Sequence, residues 1–119
     1  MVDCSVLAAL IFAEPAAAEA RVITSGMELY APRLLAYELT NVAWKKARQI
    51  PERRELIISR LQQGMRLGIR LRDVSHTLVC RLALSADLTA YDASYLYLAR
   101  SLGLPLLTFD RRLAAAASI

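Results

Sequence analysis

Apolar residues along this chain fall into four short runs separated by longer stretches with helical spacing. Residues 1–3, 28–31, 69–74 and 104–109 read as strands, the second broken by Pro32 and the third alternating apolar with polar positions. Helices are expected over residues 5–13, 15–23, 33–49, 51–67, 75–86, 90–102 and 111–117. Within the third of these, Leu35, Leu39, Val42 and Ala43 recur at the spacing of one helix face. Pro51 stands at the preferred first-turn position of the fourth, and Gly68 and Gly103 stop two others. Strands alternating with helices imply parallel pairing through right-handed crossovers. The expected architecture is therefore α/β: a three-layer α/β/α sandwich around a short parallel sheet of four or five strands, in a single domain over residues 1–119.

In such a sheet, ligands bind at the carboxyl ends of the strands, and there the pattern raises a question. The first and last apolar runs both end on a carboxylate, Asp3 in VDCS and Asp110 in LTFD. Two further acids sit among apolar neighbours, Glu38 in LLAYELTNVAW and Asp92 in TAYDASYLYLA. Each has a plain structural explanation. Asp3 and Asp110 suit helix N-caps, Thr89-x-x-Asp92 matches a capping box with Asp for Glu, and Glu38 could face solvent. Capping does not account for a Glu on an apolar helix face, nor for two strands finishing in Asp at one edge. Crowded carboxylates repel and lose hydration, so something must offset their charge. A hard divalent cation such as Mg²⁺ or Mn²⁺ does so with carboxylate oxygens and retained water.

Composition narrows the alternatives. The two cysteines, Cys4 and Cys80, and the lone His76 make neither a disulfide framework nor a zinc site. No apolar run is long enough to span a membrane, Asp3 argues against a secretory signal, and a reducing cytoplasm is the expected location. The net charge of +4 is unevenly spread. Residues 45–72 carry nine basic and two acidic residues, a balance of +7, which leaves −3 for the rest of the chain. A basic middle beside buried acids suggests a polyanion held near a metal, the arrangement that hydrolyses phosphodiesters. The plainer reading is a solvated helix surface.

D-x-S at the start, E-x-x-N in a helix, and above all LTAYDASYLYLARSLGLPLLTFDRRL together resemble a PIN domain of the VapC toxin type. The resemblance implies a ribonuclease toxin of a type II toxin–antitoxin pair, with Asp3, Glu38, Asp92 and Asp110 binding one or two Mg²⁺ or Mn²⁺ ions. It further implies Ser5 and Thr108 as accessory polar groups, Asn41 orienting Glu38, a homodimer, and inhibition by a cognate antitoxin. Structured RNA, tRNA or rRNA, would be the substrate. The first strand is shorter than the family's, Cys4 replaces a small residue, and the final edge strand is missing or rudimentary, so four strands are expected.

Asp3 and Asp92 are assigned as metal ligands, Asp110 directly or through water, and Glu38 as ligand of a second ion or orienter of the attacking water. Lys45, seven residues from Glu38 and on its face, is the expected phosphate contact, with Arg111 and Arg112 beside Asp110. Tyr91, Tyr95, Tyr97 and Trp44 read as packing or interface residues before base-stacking ones. The alternatives are a PIN-fold RNA-processing nuclease and a non-catalytic RNA- or protein-binding module. A phospho-acceptor domain would want a lysine near the end of the sheet, and none follows Lys46.

Overall fold

A computed structural model describes residues 1–118. Strands β1 (Tyr30–Pro32) and β2 (Arg70–Arg72) pair in parallel, with Ala31 opposite Leu71. Residues 1–3 and 104–109 meet in one isolated parallel bridge, Val2 with Leu107. Backbone bonds from Leu107 N to Met1 O (2.8 Å) and from Asp3 N to Leu107 O (3.2 Å) close it. Val2 N donates to Tyr30 O at 3.0 Å and so ties the bridge to β1.

The expected four- or five-stranded sheet is thus, among the described residues, a two-stranded ladder and a bridge. The reason is competition for backbone groups. Asp3 O is taken by Leu7 N of the helix that follows (3.2 Å), Leu104 N is drawn to Ala99 O at the end of another (2.9 Å), and Pro105 has no N–H to give. The outer segments therefore pair through a few single bonds rather than a full ladder. A fifth strand would follow residue 117, outside the elements described.

All seven expected helices form, most with shorter ends. They are α1 (Cys4–Ile11), α2 (Ala17–Thr24), α3 (Leu34–Gln49), α4 (Arg54–Gly64), α5 (His76–Ala86), α6 (Ala90–Leu102) and α7 (Arg111–Ala117). Side-chain caps explain four starts. Asp3, Ser75, Thr89 and Asp110 each accept a backbone N–H from the first turn that follows. α6 stops at Gly103 in the left-handed region, where no Cβ resists.

α1 packs on α2, α3 and α4, while α5 packs on α6, which also touches β1 and α7. Val2, Val6, Leu7, Leu35, Leu39, Tyr95, Leu96 and Leu113 fill the core between these groups. Leu35, Leu39 and Ala43 turn inward as their spacing requires, with Val42 at the margin. In α6 the residues between Ala93 and Ala99 are all buried except Tyr97.

α4 was expected to run to residue 67 but ends at Gly64, which lies against α1. A Cβ built at Gly64 would come 2.3 Å from Ile11 Cδ1 and 2.7 Å from its Cγ1. Gly64→Ala is expected to force α1 and α4 apart and cost about 1–3 kcal/mol, the usual scale of overpacking. Urea denaturation measures it, and an unchanged midpoint would mean that Ile11 simply swings aside.

Candidate functional site

Asp3 is the most deeply set of the four acids, with 5% of its surface exposed. Its Oδ1 accepts from Ser5 Oγ (2.6 Å) and Val6 N (3.3 Å), and its Oδ2 accepts from the Thr108 hydroxyl. The two hydroxyls are themselves fixed by the far end of the chain. Phe109 N donates to Ser5 Oγ and Asp110 N to Thr108 Oγ1, each at 2.9 Å. The ends of the first and last extended segments are therefore stitched together around one carboxylate. Capping does not exclude a place in a site, since Asp3 caps α1 and gathers Ser5 and Thr108 at once.

Glu38 projects from α3, half-buried, and its Oε1 accepts from the hydroxyl of Tyr95 on α6. Asp92 lies in the first turn of α6, and its backbone N–H, not its carboxylate, is the group that Thr89 Oγ1 receives (3.1 Å). Asp110 is exposed; its Oδ1 receives Arg112 N (2.9 Å) and Leu113 N (3.0 Å).

Ionisation shows that these acids share one neighbourhood. Burial pushes the carboxyl of Asp3 up from its ordinary value, against the pull of its hydrogen bonds from Ser5, Thr108 and Val6. Burial also raises Glu38, opposed by the Tyr95 hydroxyl and reinforced by the charges of Asp3 and Asp92. Asp92 is raised by burial, then by Asp110 and Asp3, with Thr89 and Arg112 pulling the other way. Cys4, among the same groups, has its thiol pushed up to about 12 by burial and by Glu38, Asp3 and Glu14. A thiol in that state is a small apolar spacer rather than a ligand or nucleophile.

Glu38 thus feels Asp3 and Asp92, and Asp92 feels Asp110 and Asp3. Among the described residues no three Asp, Glu, His or Cys side chains close into a ready-made metal cage. Mg²⁺ and Mn²⁺ keep several waters and take as few as one or two carboxylates directly. The donor set is all oxygen, and the carboxyls are raised first by burial and, at Glu38 and Asp92, also by neighbouring carboxylates, whose charge a cation would offset. The residues fit such an ion.

A pH dependence follows. A carboxyl whose folded pKa lies above its unfolded value binds more protons in the folded state, so its contribution is full below about pH 4 and is lost as pH rises through the folded value. With a chelator present, the parent protein should lose Tm relative to Asp92→Asn on going from pH 4 to pH 7. Saturating Mn²⁺ should shrink that gap. Parallel Tm–pH curves for parent and variant would contradict the coupling.

The polar neighbours divide unevenly. Ser5 and Thr108 lie beside Asp3, where the sequence placed them. Asn41 is exposed, and among the described residues no hydrogen bond joins it to Glu38; the group hydrogen-bonded to Glu38 is the Tyr95 hydroxyl. Tyr95 was read as packing, and it is 1% exposed, yet its hydroxyl reaches the site. The signal was there in Asp92-x-x-Tyr95, which puts both on one side of α6. Lys45 and Arg111 are exposed. Arg112 Nη2 is engaged by Asp87, through its carbonyl oxygen and Oδ2 (3.0 Å). Lys46 pairs with Glu14 at 3.1 Å. Trp44 and Tyr91 stand out into solvent, Trp44 beneath the Arg48 guanidinium. No helix among the described residues is long and apolar enough to cross a membrane.

The family model described as PIN domain matches residues 1–119. The chain is 36% identical to Ribonuclease VapC3 of Pyrobaculum aerophilum, over 96% of this chain and 91% of that protein. It is 39% identical to Exonuclease VapC9 of the same organism over 69% of this chain and 62% of that one. The crystal structure of PAE2754 from Pyrobaculum aerophilum superposes with a TM-score of 0.81 at 36% identity, covering 97% of this chain and 82% of the other.

Proposed function

The chain belongs to the PIN-domain family, and on that premise we propose that it is a metal-dependent endoribonuclease, the toxin of a type II toxin–antitoxin pair. Its substrate is structured RNA, tRNA or rRNA. The observation that supports the reading is that Glu38 and Asp92, from two separate helices, both feel the charge of the buried Asp3. The VapC3 relative, matched over nearly the whole chain and named a ribonuclease, supports it.

Asp3, Glu38, Asp92 and Asp110 are the catalytic and metal-holding set, for one or two Mg²⁺ or Mn²⁺ ions. Asp3 and Asp92 serve as direct ligands and Asp110 directly or through water. When bound, the metal polarises the phosphoryl oxygen and lowers the pKa of water to yield a nucleophile. The protein's own part is orientation. Ser5 and Thr108 fix the carboxylate plane of Asp3, and the Asp110 cap leaves Oδ2 without a hydrogen bond among the described residues. Lys45 and Arg111 bind backbone phosphates. Arg112, in its exposed pair with Asp87, is the weaker candidate, since such pairs are worth little and exchange readily.

The remaining proposals follow the family: a homodimer, a cognate antitoxin as inhibitor, and a cytoplasmic location. The four-stranded parallel sheet of a three-layer sandwich belongs with them; the hydrogen bonds that run from Leu107 through residues 1–3 to Tyr30 and on to β2 support it.

One experiment separates these readings. Purified protein is incubated with end-labelled and with circular RNA, in Mn²⁺ and in chelator. Cleavage of both substrates, abolished by chelator, is the expected result. Loss of activity on the circle alone would favour an exonuclease, the activity in the name of the VapC9 relative. RNA binding without cleavage, and without Mn²⁺-linked stabilisation, would favour the non-catalytic module. Toxin and RNA-processing roles part on induction in cells, where a toxin arrests growth and a co-expressed antitoxin restores it.

A further inference from the structure

We propose that Tyr95 is a positioning residue that holds Glu38 toward the other carboxylates; the inference rests on the nuclease reading above. Asp3 is fixed by three donors, Ser5, Val6 and Thr108. Glu38 has a longer, freer side chain on the half-exposed flank of α3, and among the described residues one hydrogen bond reaches its carboxylate, from the Tyr95 hydroxyl. Unrestrained, a glutamate keeps several rotamers, and ordering it costs side-chain entropy. Tyr95 is itself immobile, with 1% of its surface exposed in the core beside Leu96 and Leu98. A rigid donor therefore grips a flexible acceptor.

The position of Tyr95 on α6 gives this grip a consequence. Asp92 and Tyr95 are three residues apart, about 4.5 Å along the helix axis and on neighbouring turns. The same stretch of helix presents one carboxylate itself and the anchor for another that belongs to α3. Through Tyr95, one turn of α6 thus ties Glu38 of α3 to the helix that carries Asp92. Asn41, one turn after Glu38 on α3, has no such reach.

The plainer account is that a buried tyrosine hydroxyl needs an acceptor and Glu38 supplies it. The two accounts separate in metal response. Tyr95→Phe keeps the ring and removes the donor. Positioning predicts that kcat for RNA falls about 10- to 100-fold, the scale of lost outer-shell partners, with KM for RNA changed less than about 2-fold. It also predicts that the Mn²⁺ concentration giving half of the Mn²⁺-induced rise in Tm increases by a similar factor, a readout that needs no catalysis. In a Glu38→Gln background, Tyr95→Phe should leave the Mn²⁺ response where Glu38→Gln alone put it. Replacing Tyr95 by 4-aminophenylalanine, which keeps a donor, should restore the response and serves also if Tyr95→Phe folds poorly.

A parent-like kcat and Mn²⁺ response in well-folded Tyr95→Phe would overturn the inference. So would an equal further loss in the Glu38→Gln background, because Tyr95 would then act elsewhere. An inactive Asp92→Asn beside a parent-like Tyr95→Phe sinks this inference alone. Parent-like cleavage by Asp92→Asn sinks the nuclease reading and this inference with it.

Discussion

Asp92→Asn is expected to abolish RNA cleavage while leaving the metal-free protein as stable as the parent or slightly more so. The catalytic loss should be at least about 10²- to 10³-fold, the scale of removing one preorganised charge from an active site. The stability expectation comes from opposing effects at one position. An acid in the first turn of α6 gains from the helix dipole, about 0.3–1 kcal/mol, and from Arg112 nearby. Burial and the charges of Asp110 and Asp3 act against it, and the upward direction of its pKa says that they prevail. Asn relieves both. The cap of α6 survives, since Thr89 receives the backbone N–H of residue 92 whatever side chain is present. Thermal melts in chelator and in Mn²⁺ check the expectation: the variant should gain little from Mn²⁺, where the parent gains several degrees. A variant that cuts RNA as the parent does removes Asp92 from the metal site. One that unfolds in chelator shows that its carboxylate is structural.

That trade between charge and stability is why the acids could be read from the sequence while much around them could not. A carboxylate among apolar neighbours is a local oddity, and Glu38 between Leu35 and Leu39 is visible in a single line of text. Strand ends were visible for a similar reason, because Asp3 and Asp110 each close an apolar run and open a helix. The extent of the sheet was hidden. Leu104 looks like strand, yet its N–H goes to Ala99 in the turn that ends α6, a choice made between distant hydrogen-bond partners. The early end of α4 was hidden too, because Gly68 is the obvious breaker whereas Gly64 matters through Ile11, on another helix. Tyr95 is the most telling case. Its burial follows from helical spacing, but its hydroxyl acquires a task only when α3 brings Glu38 to it. Pair partners across elements, such as Arg112 with Asp87, are equally out of reach of periodicity.

Asp3 offers the sharpest separation of structural from chemical roles, through two substitutions. Asp3→Ala removes the N-cap of α1, worth about 1 kcal/mol, and leaves the half-buried hydroxyls of Ser5 and Thr108 without their acceptor. Those hydroxyls also receive Phe109 N and Asp110 N, so the junction between the two ends of the chain loosens with them. The sum is about 2–4 kcal/mol, which for a domain of this size lowers Tm by roughly 10 °C or more. Asp3→Asn keeps one acceptor oxygen for the cap, forces one hydroxyl to turn, and removes a charge that burial disfavours. Its net cost should be within about 1 kcal/mol. Both variants should fail to cleave RNA, since neither offers the negative oxygen pair that a hydrated Mg²⁺ requires. If Asp3→Ala melts with the parent in chelator, the Ser5–Asp3–Thr108 link contributes nothing to the fold and the carboxylate is purely a ligand. If Asp3→Asn melts as low as Asp3→Ala, the charge itself holds the junction, and the claim that burial opposes that charge is wrong.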